Sequence, residues 1–260
     1  MGIGSITTAI KRAVFAPRLK IAAGLQPTQL GTEYGGWDFI DAPNLHGSTI
    51  ISCGLGEDAS FDVAFASRYG AKVAMVDPTP RAIAHFRAIQ ARMGQPASCD
   101  FVPGGNQPLG AYDLSSVTSE NLILVERALW TDERTLKFYA PSNPAFVSHS
   151  VTDSINNFST KGPYIEVQSI AIDALLAQIG VASVPLLKLD IEGAEFAVIP
   201  DMLRKGIRPD QILIEFDEIS VYSRRSKREI EGVDRALHEN GYRLVHFRHP
   251  SNFLYVLHAI

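Results

Sequence analysis

The stretch Ser52-Cys53-Gly54-Leu55-Gly56-Glu57-Asp58-Ala59 constrains this chain more than any other. It follows an apolar run, Thr49 to Cys53, with the composition of a buried strand. It precedes a segment from about Ala59 to Tyr69 that places Phe61, Ala64 and Phe65 on one helical face and stops at Gly70. A Gly-x-Gly turn between a strand and a helix lets the backbone come close to a ligand. An acid about 20 residues further on, at the end of the next strand, can then hold ribose hydroxyls. Asp77, closing the run Lys72 to Val76, stands in that place. The alternative is a glycine turn that holds no ligand.

The rest of the chain alternates short strand-like runs with helix-length segments, which predicts a parallel sheet covered on both faces. Thr79 is expected to cap a helix with Pro80 at its first position; Ile83, Phe86, Ile89 and Met93 make its buried stripe, and Gly94 ends it. Residues 95–120 show little periodicity and read as a long loop. Leu122 to Val125 is a third strand, and Leu136 to Tyr139 and Tyr164 to Ile170 alternate weakly, like edge or hairpin strands. Residues 141–163 between them are turn-rich and polar, an excursion over the sheet edge.

Ile172 to Ile179 reads as a helix and Leu186 to Leu189 as a buried central strand. Ala194 to Lys205 reads as a helix bent or restarted at Pro200, Gln211 to Phe216 as a fifth strand, and Ser226 to Asn240 as a last helix. Tyr242 to Phe247 and Phe253 to Leu257 are separated only by Arg-His-Pro-Ser-Asn, which permits a hairpin and so adds an antiparallel pair. The expected architecture is α/β, Rossmann-like, with a seven-stranded mostly parallel sheet and a C-terminal antiparallel hairpin. Residues 1–45 would form an N-terminal helix and lead-in, and residues 46–260 the ligand-binding domain.

Composition narrows the setting. A chain of 260 residues suits one α/β domain. A net charge of −4 gives no reason to expect nucleic-acid or anionic-membrane binding. No run approaches the roughly 18 apolar residues that span a bilayer. Lys11, Arg12, Arg18 and Lys20 break up the apolar N-terminus, so it lacks a signal-peptide core. The segment Ser5 to Leu19 is a helix packed on the domain, or a basic amphipathic helix touching a membrane, cut short by Pro17. The only cysteines, Cys53 and Cys99, look like reduced thiols, and the expected location is the cytoplasm. Oligomerisation is left open.

Two nucleoside cofactors compete for the glycine loop. NAD would lay its diphosphate on the helix start, where Glu57 and Asp58 would repel it. S-adenosylmethionine carries a sulfonium and an ammonium, which tolerate those acids. The terminal hairpin points the same way, being usual in class I methyltransferases and unusual in dinucleotide dehydrogenases. A third reading is a cofactor-binding or scaffolding module whose catalytic residues have decayed.

A second cluster lies further along, in Leu187-Lys188-Leu189-Asp190-Ile191-Glu192-Gly193-Ala194-Glu195. It brings three acids to the end of a buried strand, where ligands of open sheets bind. Acids in a helix's first turn also complement its dipole, so capping competes for Glu192 and Glu195. Asp190 ends an apolar strand and needs a partner to offset its desolvation.

This cluster resembles the hallmark of the FkbM family of methyltransferases. Ser52 to Phe61 resembles that family's first motif and Asp77-Pro78-Thr79-Pro80 its second. The likeness runs from about Gly31 to Met202, including the lead-in Gly31 to Trp37 and Ala128-Leu129 after the third strand. It implies O-methylation with S-adenosylmethionine as donor, commonly on sugar hydroxyls of glycans or on natural products. It also implies that Gly54, Gly56 and Asp77 contact the cofactor, with Asp190 near its methionine part; Ser52, Asp58, Pro78 and Ala128 complete the expected cofactor set. Ser52 stands where the wider class has an acid, and Asp58 where it has a third glycine.

Methyl transfer to a hydroxyl is an in-line displacement that needs a base for the hydroxyl proton. The candidates are Asp190, Glu192 and His149, the last in the loop Ser148-His149-Ser150. Glu215 and Asp217 end the fifth strand and with Asp190 offer oxygen ligands of the kind Mg²⁺ takes. Such acids serve cofactor binding or solvation equally well, and no metal is assigned. Tyr34 and Trp37 would close over cofactor or acceptor, or else pack in the core.

Overall fold

The computed structural model describes residues 11–139 and 163–258. Strands β1 (Thr28–Leu30) and β2 (Trp37–Phe39) form an antiparallel pair in the lead-in. Then come β3 (Thr49–Cys53), α1 (Ser60–Tyr69), β4 (Lys72–Val76), α2 (Pro80–Gln90), β5 (Leu122–Val125), β6 (Ala128–Trp130) and β7 (Thr135–Tyr139). They are followed by β8 (Tyr164–Ala171), α3 (Ile172–Ile179), β9 (Leu186–Leu189), α4 (Glu195–Arg204), β10 (Gln211–Glu215), α5 (Arg224–Glu239), β11 (Tyr242–Arg248) and β12 (Asn252–Leu257).

The main sheet has seven strands in the order β11-β12-β10-β9-β3-β4-β5. β3 pairs in parallel with β4 and β9, β4 with β5, and β9 with β10. β12 is antiparallel to both of its neighbours, β10 and β11. The expected hairpin is therefore present, and its second strand inserts between the first and the rest of the sheet. The chain leaves β3 toward β4 and β5 on one side and later fills β9 and β10 on the other. The reversal falls between β3 and β9, the place where an open sheet leaves a crevice at its strand ends.

The period of two along each strand builds the two sides of the core. Ile50, Val73, Met75, Leu186 and Leu213 face the layer formed by α1, α2 and the lead-in, where Trp37, Phe39, Phe61, Phe65 and Phe86 pack. Ile51, Ala74, Leu187, Leu189, Ile212 and Ile214 face the layer of α3, α4 and α5, with Leu175, Val198, Ile230 and Leu237. Two residues break the pattern. Ser52 and Lys188 pair across the β3–β9 register on the first face, and both are buried.

The lead-in is tied to the sheet. Gln211 accepts from the Ile40 amide at 2.8 Å and returns a bond to its carbonyl at 2.7 Å. Residues 11–15 are helical, and the segment they open lies on α5: Glu231 accepts from the Arg18 amide and Lys227 donates to the Val14 carbonyl. Residues 5–10 of that expected helix lie outside the described residues.

Four expectations change in detail. α2 ends at Gln90, and Met93 and Gly94 lie in the turn beyond it. β7 and β8 pair antiparallel, but with β6 they form a separate three-stranded sheet rather than an edge of the main one. α4 does not restart at Pro200 but continues through it. Thr79 sits at the N-cap of α2 in extended backbone, yet its side chain makes no capping bond and donates to Asp77 instead. The polar excursion expected over 141–163 lies outside the described residues except for Pro163. Among the described residues no helix is long and apolar enough to cross a membrane. Cys53, buried, and Cys99, exposed, are both free thiols.

Candidate active site

The crevice at the β3–β9 reversal opens into a cavity of about 420 Å³, within the usual range for a small-molecule site. The glycine loop forms one lip. Gly54 turns with φ of +82°, and a β-carbon there would run into the Asp190 carbonyl, while the Gly54 amide donates to the Val76 carbonyl at 3.1 Å. Asp77 holds the next two residues: one of its carboxylate oxygens accepts from the amides of Leu55 at 3.0 Å and Gly56 at 3.1 Å. Its other oxygen accepts from the Thr79 amide and hydroxyl at 2.8 and 2.7 Å. The acid that ends β4 thus shapes the glycine loop, as well as lining the cavity.

Asp58 performs a similar task at the start of α1. It accepts from the Ser60 amide at 2.9 Å and from the Thr32 hydroxyl at 2.7 Å, joining the lead-in to the loop. Glu57 pairs with Arg81. Opposite, the lead-in's Tyr34 stands at the cavity rim, 66% exposed, while Trp37 is buried in the wall.

The other lip comes from β9, β10 and the β11–β12 turn. Asp190 and Glu215 follow Leu189 and Ile214, which are paired in register, so their side chains emerge side by side, strands being about 4.8 Å apart. Burial pushes both carboxyls up, and the charges of Asp190 and Asp217 raise Glu215 further, well above the ordinary carboxylate range; Ser251 donates to Glu215 at 2.6 Å. Beyond Asp190 the chain turns through Glu192 at φ of +54°, a strained conformation for a residue with a side chain. Glu195, fully buried, holds that turn by accepting from the amides of Ile191 at 2.6 Å and Gly193 at 2.8 Å. Glu195 therefore acts on the loop from the helix start, whereas Glu192 lines the cavity.

Of the residues expected from the sequence, Gly54, Gly56, Asp58, Asp77, Pro78, Ala128, Asp190 and Glu192 all line one cavity. Ser52 is not among the lining residues and lies buried within β3. His149 lies outside the described residues. Sequence reasoning missed the turn Arg248 to Asn252, which reaches the cavity as a block, and Phe138 from the small sheet. Arg248 is anchored there by an ion pair to Asp38 at 2.8 Å and by the Gly36 carbonyl. Nothing in the local pattern of a hairpin turn announces that its tip lies beside a distant strand end.

Among the described residues that line the cavity, eight carry carboxyl groups and two, Lys188 and Arg248, are cations. Such a wall suits a ligand bearing a sulfonium and an ammonium and disfavours a diphosphate. Among the described residues no group of three or more His, Cys, Asp or Glu is arranged to hold a metal ion.

Behind Glu195 a further acid, Glu218, is 2% exposed, and burial pushes its carboxyl up to about 7. The folded chain keeps a proton that the unfolded chain releases from about pH 4.5, so this group's contribution is full below that pH and is lost as the pH rises through about 7. Glu218→Gln removes the titration. Urea unfolding should show the variant more stable than the parent at about pH 8, by up to about 3 kcal/mol, with the gap closing near pH 4. A gap independent of pH would show that Glu218 does not titrate in this way.

The methyltransferase FkbM domain matches residues 43–244. No curated protein matches the chain. Among solved structures the chain is similar to M. jannaschii TYW2 in complex with AdoMet, at 13% identity and a TM-score of 0.30, over 91% of this chain and 87% of that one. The family match takes in β3 with its glycine loop, the acids that end β4, β9 and β10, and the sheet as far as β11. On that extent the chain belongs to the FkbM family of methyltransferases, and its methyl donor is S-adenosylmethionine.

Proposed function

We propose that this enzyme methylates a hydroxyl of a sugar, glycan or natural-product acceptor, with Asp190 receiving the hydroxyl proton. The observation that carries the proposal is the pairing of Asp190 and Glu215 at adjacent strand ends inside the cavity. S-adenosylmethionine supplies an activated methyl group on a sulfonium, so the protein's own task is alignment and proton removal. Gly54, Gly56 and Asp77 belong on the donor side. Pro78 and Ala128 line the same side of the strand ends, and Asp58 braces it through Thr32.

The acceptor side is then the lip formed by Glu192, Glu215, Asp217 and the turn Arg248 to Asn252. Carboxylates accept hydrogen bonds from hydroxyls in several directions, and Tyr34 and Phe138 offer aromatic faces, a combination suited to a polyhydroxylated ring. Glu215 is the carboxyl pushed furthest up, so we assign the proton of the pair to it, leaving Asp190 to present a negative oxygen without facing a second full charge.

The acceptor class is tested by incubating the protein and labelled S-adenosylmethionine with panels of sugars, hydroxylated natural products, amines and carboxylic acids. The expected product is a methyl ether, recognised by a label that survives alkali. A label released by alkali, as from an ester, or found on nitrogen would overturn the proposal.

A further inference from the structure

Lys188 is the second residue of the β9 cluster, and neither the cofactor set nor the proposed base explains it. It sits within a strand otherwise made of leucines and is 4% exposed. Its ammonium donates to the Gly54 carbonyl at 2.7 Å and the Cys53 carbonyl at 3.1 Å, and lies 5.2 Å from the centre of the buried Trp37 ring. On the same face, Ser52 is its register partner, and α1 brings in Asp62, 1% exposed. Burial pushes the Asp62 carboxyl up, and Lys188 is the largest influence pulling it down.

A buried charge with no compensation is strongly destabilising, and a buried pair is often no better than an apolar pair of similar volume. Stability alone therefore gives a weak reason for a lysine here. Its donors fall on the two carbonyls that begin the glycine turn, just ahead of the two amides that Asp77 holds. Two carbonyls and then two amides of four successive residues are thus fixed, by Lys188 and by Asp77.

We propose that Lys188 is a positioning residue for the methyl donor: from inside the sheet it holds the carbonyls of Cys53 and Gly54, and so the turn against which the donor binds. The carboxylate that the strand lacks at Ser52 is brought to the same face by the helix. This inference rests on the donor alone and is independent of the acceptor.

The test measures S-adenosylhomocysteine affinity by calorimetry and melting temperature for four proteins: the parent, Lys188→Met, Lys188→Arg and the double variant Lys188→Met with Asp62→Leu. Lys188→Met should lower the melting temperature and weaken binding by between about tenfold and a hundredfold. The double variant, with no charge left in the cluster, should regain the melting temperature but not the affinity. Lys188→Arg keeps the charge but moves its donors off the two carbonyls, so it should fold and still bind more weakly. Parental affinity in either the double variant or Lys188→Arg would overturn the proposal and leave Lys188 a matter of core stability. If Lys188→Met does not fold, those two proteins decide the question. Parental binding of S-adenosylhomocysteine is the control, so a failure of the donor assignment is seen separately.

Discussion

Gly54→Ala is expected to abolish S-adenosylhomocysteine binding and methyl transfer, with the loss of binding exceeding about a hundredfold. Two costs add at this position. The backbone stands at φ of +82°, where a side chain is strained by about 1–3 kcal/mol. An alanine methyl would also land on the Asp190 carbonyl oxygen, and would lie 3.0 Å from its carbon and 3.2 Å from its β-carbon. All three atoms belong to Asp190, whose amide is itself bonded to the Cys53 carbonyl at 3.2 Å. The methyl group can be accommodated only by parting β3 from β9 at the wall of the cavity. Unfolding by urea should show a loss of roughly 3 kcal/mol or more.

Gly56 is the control. It also has a positive φ, +56°, but a β-carbon there meets nothing within 4 Å. Gly56→Ala should cost only about 1 kcal/mol of stability and retain measurable S-adenosylhomocysteine binding. If the two variants behave alike, the contact between Gly54 and Asp190 is not the reason for the glycine.

The contrast between these glycines also marks what a sequence makes legible. The strand–glycine–helix order and the acid that ends the next strand are local patterns, and they located one lip of the cavity. The main sheet was legible for the same reason: each of β3, β4, β9 and β10 is short, apolar and bounded by turns, as strands buried on both faces must be. Which glycine is pressed, and by what, depends on Asp190, more than a hundred residues away, and no local pattern encodes it.

The same limit explains the other differences. β7 and β8 alternate as hairpin strands do, but whether such a pair joins the main sheet or leaves it for β6 is decided by long-range pairing. Pro200 falls within the first two turns of α4, and the helix continues through it. Thr79 has the residue type of a helix cap, yet Asp77 two residues earlier offers its hydroxyl a charged acceptor. Lys188 reads as one polar residue in a strand until Gly54, Trp37 and Asp62 are brought round it by the fold.

The remaining large effect concerns the carboxyl pair, and its two members should respond differently. Asp190→Asn keeps the shape of the side chain but cannot take up a proton, so kcat at saturating donor should fall by about 10²–10⁴. With the proton of the pair assigned to Glu215, the carboxyl pushed furthest up, its role toward Asp190 is that of a donor, which a glutamine amide reproduces. Glu215→Gln should therefore retain most of kcat, while Glu215→Ala, which removes the donor, should lose considerably more. The pH profile separates a donor from a mere neighbour. Burial and the charges of Asp190 and Asp217 hold Glu215 well above the ordinary carboxylate range, so in the parent a second ionisation of the pair follows the first as pH rises. That second ionisation should be absent from the kcat profile of Glu215→Gln, because a glutamine has no proton to lose. If Glu215→Gln is as impaired as Asp190→Asn, the proton is taken by Glu215 and the roles are reversed. If Asp190→Asn stays within a few-fold of the parent, the base lies elsewhere along the acceptor lip, with Glu192 the next carboxylate to replace.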